Sequence, residues 1–190
     1  MQKYVLLLIY VLLLTTSVLV HAADADLAET GQVSCFDSSG NTVTCTNTGQ
    51  DADHRAGAAW PNPRFAQGSG IENTCITDRL TGLMWFEDSI IATDWLDALT
   101  ISRQATYCGY DDWRLPNVLE LESLLNYEEP TSGWLMGEGF GAIIGDEYWT
   151  STTSVSDPKE ALAINMLTNF IHSVPKTSLN NLVLLVRGGD

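Results

Sequence analysis

The chain has 190 residues, with 24 acidic side chains against 9 basic ones and a net charge of −15. A length of this order holds one domain with a real core. A field this negative repels phosphate backbones and anionic lipid heads, so nucleic acid and polyanions are excluded as partners, while cations, neutral sugars and basic protein surfaces stay open.

The first residues read as a targeting segment. Lys3 supplies a short positive region, Tyr4 to Val20 is almost wholly apolar, and Val20-His21-Ala22 sets small residues where a signal cleavage site needs them. Residues 1–22 are thus expected to be a signal peptide, cut after Ala22. The alternative is an uncleaved anchor, but a run with Thr15, Thr16 and Ser17 near its end is marginal for crossing a bilayer. No cysteine follows the cut to carry a lipid, and no later stretch offers a stable membrane span. The expected product is exported, periplasmic or extracellular, with 8 basic residues against 24 acidic ones and hence a net charge of −16.

Residues 23–30 are small and acidic without periodicity, which predicts a flexible lead-in. One domain then spans 31–190. Its four cysteines, Cys35, Cys45, Cys75 and Cys108, form an even set that predicts two disulfides in an exported chain. Three pairings are open. The turn signal Ser38-Ser39-Gly40-Asn41 favours Cys35–Cys45 as a clamp on a β-hairpin, which leaves Cys75–Cys108. A zinc site is the competing reading, and neither CxxC spacing nor a paired histidine supports it.

Residues 51–70 read as irregular loop, broken by Pro61, Pro63, Gly68 and Gly70. Leu83 to Phe86 reads as a buried strand. A helix is predicted over Asp94–Thr106, with Asp94 as cap and Trp95, Ala98, Leu99 and Ser102 at helical spacing. A second is predicted over Asn117–Tyr127, where Asn117 and Glu120 have capping-box spacing and Val118, Leu121, Leu124 and Leu125 make one apolar face. Gly133 to Gly145 reads as a Gly-rich loop. Glu147 to Thr153 is aromatic and β-branched, as a strand requires. Ala161–Leu167 and Phe170–Val174 flank the turn Thr168-Asn169, and Leu182 to Val186 is a continuous apolar run suited to one central strand. Helices in the middle and strands late in the chain predict an α+β class with an antiparallel sheet.

Asp112-Trp113-Arg114-Leu115-Pro116-Asn117, followed by Glu120-Leu121-Glu122-Ser123-Leu124, resembles the Lcl C-terminal domain family. Further segments agree in order: Thr48 to Asp53, Trp60 to Phe65, Thr81 to Trp85, Cys108-Gly109-Tyr110, Tyr148 to Thr153, and Val186-Arg187-Gly188-Gly189. The likeness spans roughly residues 31–189. It implies a C-type-lectin-like fold, two helices packed on a twisted antiparallel sheet with long loops, in exported bacterial proteins. The family's namesake domain ends a collagen-like adhesin and binds sulfated polysaccharides. That ligand is not expected here, because the net charge opposes a polyanion and the chain has no collagen repeat.

Candidate site residues divide by chemistry. Arg114 within its motif is expected to pair with a carboxylate or with carbonyls at a strand end. A similar Arg-Leu-Pro helix entry occurs in formylglycine-generating oxidases, whose chemistry needs late cysteines, and no cysteine follows Cys108. Asp51 and Asp53 lie in a Gly-flanked loop where paired carboxylates can bind Ca²⁺, against the plainer reading of a solvated acidic loop. Trp134, Tyr110 and Trp149 are candidates for stacking on a sugar, Trp134 foremost because it lies in the Gly-rich loop. Trp149 in a strand fits a core equally well. Glu128-Glu129 reads as solvated, and His54 and His172 have no local metal partner. The expectation is a non-catalytic ligand-binding domain, glycan-binding or adhesin-like. The alternative is an envelope protein-interaction module that presents the aliphatic run Leu182–Leu185. An oxidase is disfavoured.

Overall fold

The computed structural model describes residues 27–189. The expected signal peptide and the start of the lead-in lie outside the described residues. In chain order the elements are β1 (Cys35–Phe36), β2 (Thr42–Val43), α1 (Asp51–His54), β3 (Phe65–Gln67), β4 (Cys75–Asp78), β5 (Met84–Phe86) and β6 (Ile90–Ile91). There follow α2 (Trp95–Gln104), α3 (Val118–Glu122), α4 (Thr131–Gly137), β7 (Glu147–Thr153), β8 (Glu160–Asn165), β9 (Phe170–Pro175), β10 (Leu182–Val183) and β11 (Val186–Arg187).

The α+β class holds, with four α-helices among the described residues where two were expected. The strands form a small hairpin β1-β2, a five-stranded sheet in the order β6-β10-β7-β8-β9, and a four-stranded sheet β11-β5-β4-β3. The five-stranded sheet is mixed, because β10 runs parallel to β7. The aromatic, β-branched composition of Glu147–Thr153 makes β7 a full strand with the expected bounds. Its partner hairpin β8-β9 turns at Asn169, whose φ of 57° is the left-handed conformation asparagine tolerates.

The run Leu182–Val186 is not one strand. It begins as β10 between β6 and β7, continues without a turn, and ends as β11 beside β5. All five residues are buried. Leu182, Leu184 and Val186 face a core shared with Ile76, Trp85, Leu121, Leu135, Tyr148 and Ile164. Val183 and Leu185 face a second core with Phe86, Ala98, Trp113, Trp149 and Ala163. A segment buried on both sides needs apolar side chains at every position, which explains the unbroken run. It also removes these residues from any outer interaction face.

The helices are shorter than periodicity suggests. Asp94 caps α2 through Asp97 N–H at 2.8 Å, and Ala98 and Ser102 are its buried face. Asn117 and Glu120 form the expected capping box on α3, but the helix ends at Glu122, and Leu124 and Leu125 reach the core from turns. The lead-in is not loose where it is described. Ala58 N–H donates to Leu27 C=O at 2.7 Å, and Tyr127 N–H donates to Thr30 C=O at 3.0 Å.

Both expected disulfides are present, Cys35–Cys45 across β1-β2 and Cys75–Cys108 between β4 and the turn Tyr107–Tyr110 that follows α2. The second closes a loop with a sequence separation of 33. Loop closure of that length restricts the unfolded chain by roughly 4 kcal/mol. Replacing Cys75 and Cys108 together by alanine is expected to lower unfolding free energy by about that amount in urea titrations, more than replacing Cys35 and Cys45.

Candidate functional site

The stretch Trp60 to Phe65 builds a buried ion pair. Arg64 and Asp78 are 2% and 0% exposed. Arg64 Nε and Nη2 donate to the two Asp78 carboxylate oxygens at 3.0 and 2.8 Å, and Nη2 also donates to Ser123 C=O at 2.7 Å. Leu80 N–H and Thr81 hydroxyl complete Asp78. The guanidinium lies over the rings of Trp60 and Phe65 at 4.7 and 4.9 Å, with Trp134 at 5.7 Å. Desolvated charges need such partners, and Arg64 Nη1 alone of the guanidinium nitrogens is buried without a hydrogen bond.

Trp134 is therefore not on a loop. It sits in α4, half-buried, with its ring 5.0 Å from Trp60 and 5.6 Å from Phe65. Gly133 does not break the helix, because Pro130 opens it and tertiary packing holds it. Trp149 has no exposed surface and belongs to the core, where a ligand does not reach it. Tyr110 is engaged on two sides. Its hydroxyl donates to Glu72 at 2.6 Å, and Arg187 covers its ring at 3.6 Å. Arg187 in turn makes a bidentate pair with Asp112 at 2.7 and 3.0 Å. The hydrogen bond to Glu72 raises the Tyr110 phenol above its ordinary value. Tyr110 works as a clasp between loops.

Asp51 and Asp53 fall in α1. Thr30 hydroxyl donates to Asp51, and Gly49 N–H donates to Asp53 at 3.1 Å. No third ligand joins them: among the described residues, no group of three or more His, Cys, Asp or Glu side chains is arranged to hold a metal. Arg114 behaves as expected, bidentate to Glu120 at 2.7 and 2.6 Å and donating to Gly188 C=O.

A model of the Lcl C-terminal domain matches residues 74–187, more than half of the chain. The protein belongs to the Lcl C-terminal domain family. No curated protein matches the chain. The matched segment of this Lcl C-terminal domain begins after Thr48–Asp53 and Trp60–Phe65, yet Arg64 reaches into it to bind Asp78 and Ser123. The motif residues Trp113, Arg114, Leu115 and Pro116 are spent on packing and on joining α3 to β11.

Two surfaces of the Lcl C-terminal domain remain open. At one end of the five-stranded sheet, pairing puts Glu147, Asn165 and Phe170 in one row and His172 beside them on the same face. Asn165 Nδ2 donates to Glu147 at 2.9 Å, and His172 Nε2 lies 3.6 Å from the other Glu147 oxygen. Phe170 is 60% exposed and stacks on His172 with centroids 5.2 Å apart. The second surface is a cleft of about 380 Å³ between the Leu27–Thr30 segment and α3. The sequence gives little sign of either, because both depend on which strands and segments meet.

Glu128 is not simply solvated. It accepts from Val33 and Ser34 N–H at 2.8 and 3.0 Å and from Ser34 hydroxyl. The Ser34 hydroxyl and those amides hold its carboxyl below the usual range. The Arg187 pair does the same for Asp112. At Glu120, burial pushes upward, but Arg114 and Asn117 N–H win and the value is lowered.

Two outcomes follow for stability. Asp78→Ala strands Arg64 in the core, with an expected loss of about 3–5 kcal/mol in urea unfolding. The lowered carboxylates have the opposite proton demand to a raised group: their contribution is complete above the unfolded value near pH 4 and is lost as pH falls through the folded values. Glu128→Gln should lower the urea midpoint at neutral pH and make it fall less steeply toward about pH 3 than in the parent.

Proposed function

We propose that this Lcl C-terminal domain is an exported, non-catalytic recognition domain with a C-type-lectin-like fold, and that its ligand is a neutral or basic saccharide. The observation that carries the reading is the row Glu147, Asn165, Phe170 with His172 beside it. An exposed aromatic ring offers a face for sugar C–H groups, and the His172–Glu147 pair beside it, with side chains 32% and 24% exposed, sets a polar edge to that face. The net charge of −15 disfavours sulfated sugars by repulsion. The two disulfides accord with export to an oxidising compartment.

The test is a glycan array probed with the oxidised protein, once with Ca²⁺ and once with chelator. Binding in both conditions, weakened about tenfold by Phe170→Ala, is expected. Loss in chelator would bring Asp51 and Asp53 back as Ca²⁺ ligands. No glycan bound by the folded domain, or binding indifferent to Phe170→Ala, would overturn the reading and favour a protein partner.

A further inference from the structure

The cleft between the N-terminal segment and α3 has chemistry of a different kind. Its walls are Leu27 on one side and Leu119, Leu125 and Tyr127 on the other. Leu27 is 82% and Leu119 71% exposed, while Leu125 forms the buried floor. Two exposed leucines that line one cleft are uncovered apolar surface in a concave setting. The walls are held in place: Ala58 fixes the Leu27 backbone, Thr30 C=O accepts from Tyr127 N–H, and the capping box anchors α3. The volume of about 380 Å³ is near the lower end for small-ligand sites, roughly 300–1,000 Å³.

The two carboxylates that line it differ. Glu29 is neutralised by Arg55 at 3.0 Å. Glu122 makes no side-chain hydrogen bond or ion pair among the described residues. Burial, and after it the charge of Glu122, raise the Tyr127 phenol. The field of the whole protein is negative, with a net charge of −15. A neutral apolar ligand would leave Glu122 facing it without compensation, and an anion would be repelled.

We infer that this cleft is a binding site for a ligand with a short apolar body bearing a single ammonium group, the ammonium paired with Glu122 and the body between Leu27 and Leu119. The site is separate from the saccharide row and does not depend on it.

The probes are n-hexylamine, n-hexanol and hexanoate, titrated into the oxidised protein at neutral pH and followed by amide chemical shifts. Saturable shifts at residues 27–30 and 119–127 are expected with the amine. The alcohol should bind there about fivefold more weakly, the strength of one exposed charge pair, and hexanoate more weakly still. Glu122→Gln should bring the amine down to the level of the alcohol and leave the alcohol unchanged. Leu119→Ser should weaken both. Glu138→Gln, at an exposed acid elsewhere, should change neither. Equal affinity for amine and alcohol, amine binding indifferent to Glu122→Gln, or no saturable shifts at these amides would overturn the assignment.

Discussion

The fold depends on a six-residue segment that joins two sheets. Leu182–Arg187 enters as the strand between β6 and β7 and leaves as the edge beside β5. Its alternating side chains serve two cores on opposite sides. The segment links the two sheets covalently, and within the five-stranded sheet it joins β6 to β7. A polar side chain at any of its central positions would be buried without a partner on one side or the other. The constraint explains why Leu184 and Leu185, which are outside both strands, are still fully buried.

Charge pairs surround this seam and hold the loops to it. Arg114 ties α3 to Gly188, Arg187 ties the end of β11 to Asp112 and Tyr110, and Arg64 ties the Pro-rich stretch to β4 and to the turn after α3. In a strongly acidic chain these arginines are scarce and are placed where a loop would otherwise drift. The surface left to solvent is consequently rich in uncompensated carboxylates. Basic or neutral ligands are the ones such a surface admits.

Local signals were legible in the sequence wherever the physics was local. Asn117 and Glu120 announced the capping box, Asp94 announced the start of α2, and the composition of Glu147–Thr153 gave β7 its bounds. The spacing of Cys35 and Cys45 around a turn was enough to pair them. What depended on distant partners was not legible. An unbroken apolar run reads as one central strand, and only the positions of β5 and β7 divide it. Gly133 suggested a loop around Trp134, whereas packing on Trp60 and Phe65 made it a helix. His172 had no neighbour in sequence to suggest a role. It gained Glu147 through two strand pairings, and no local pattern encodes those.

The seam also sets an order of events during folding. Its partners are far away in the chain: Leu182 pairs with Ile91, and Val186 with Trp85. Contacts of such separation carry a large loop-closure cost and slow the search for the native topology. Cys75 and Cys108 are much nearer to each other and bracket the very strands, β5 and β6, that the seam must find. Oxidation of that pair closes a loop around both docking strands, so the unfolded chain has fewer arrangements open to the stretch that must receive the seam.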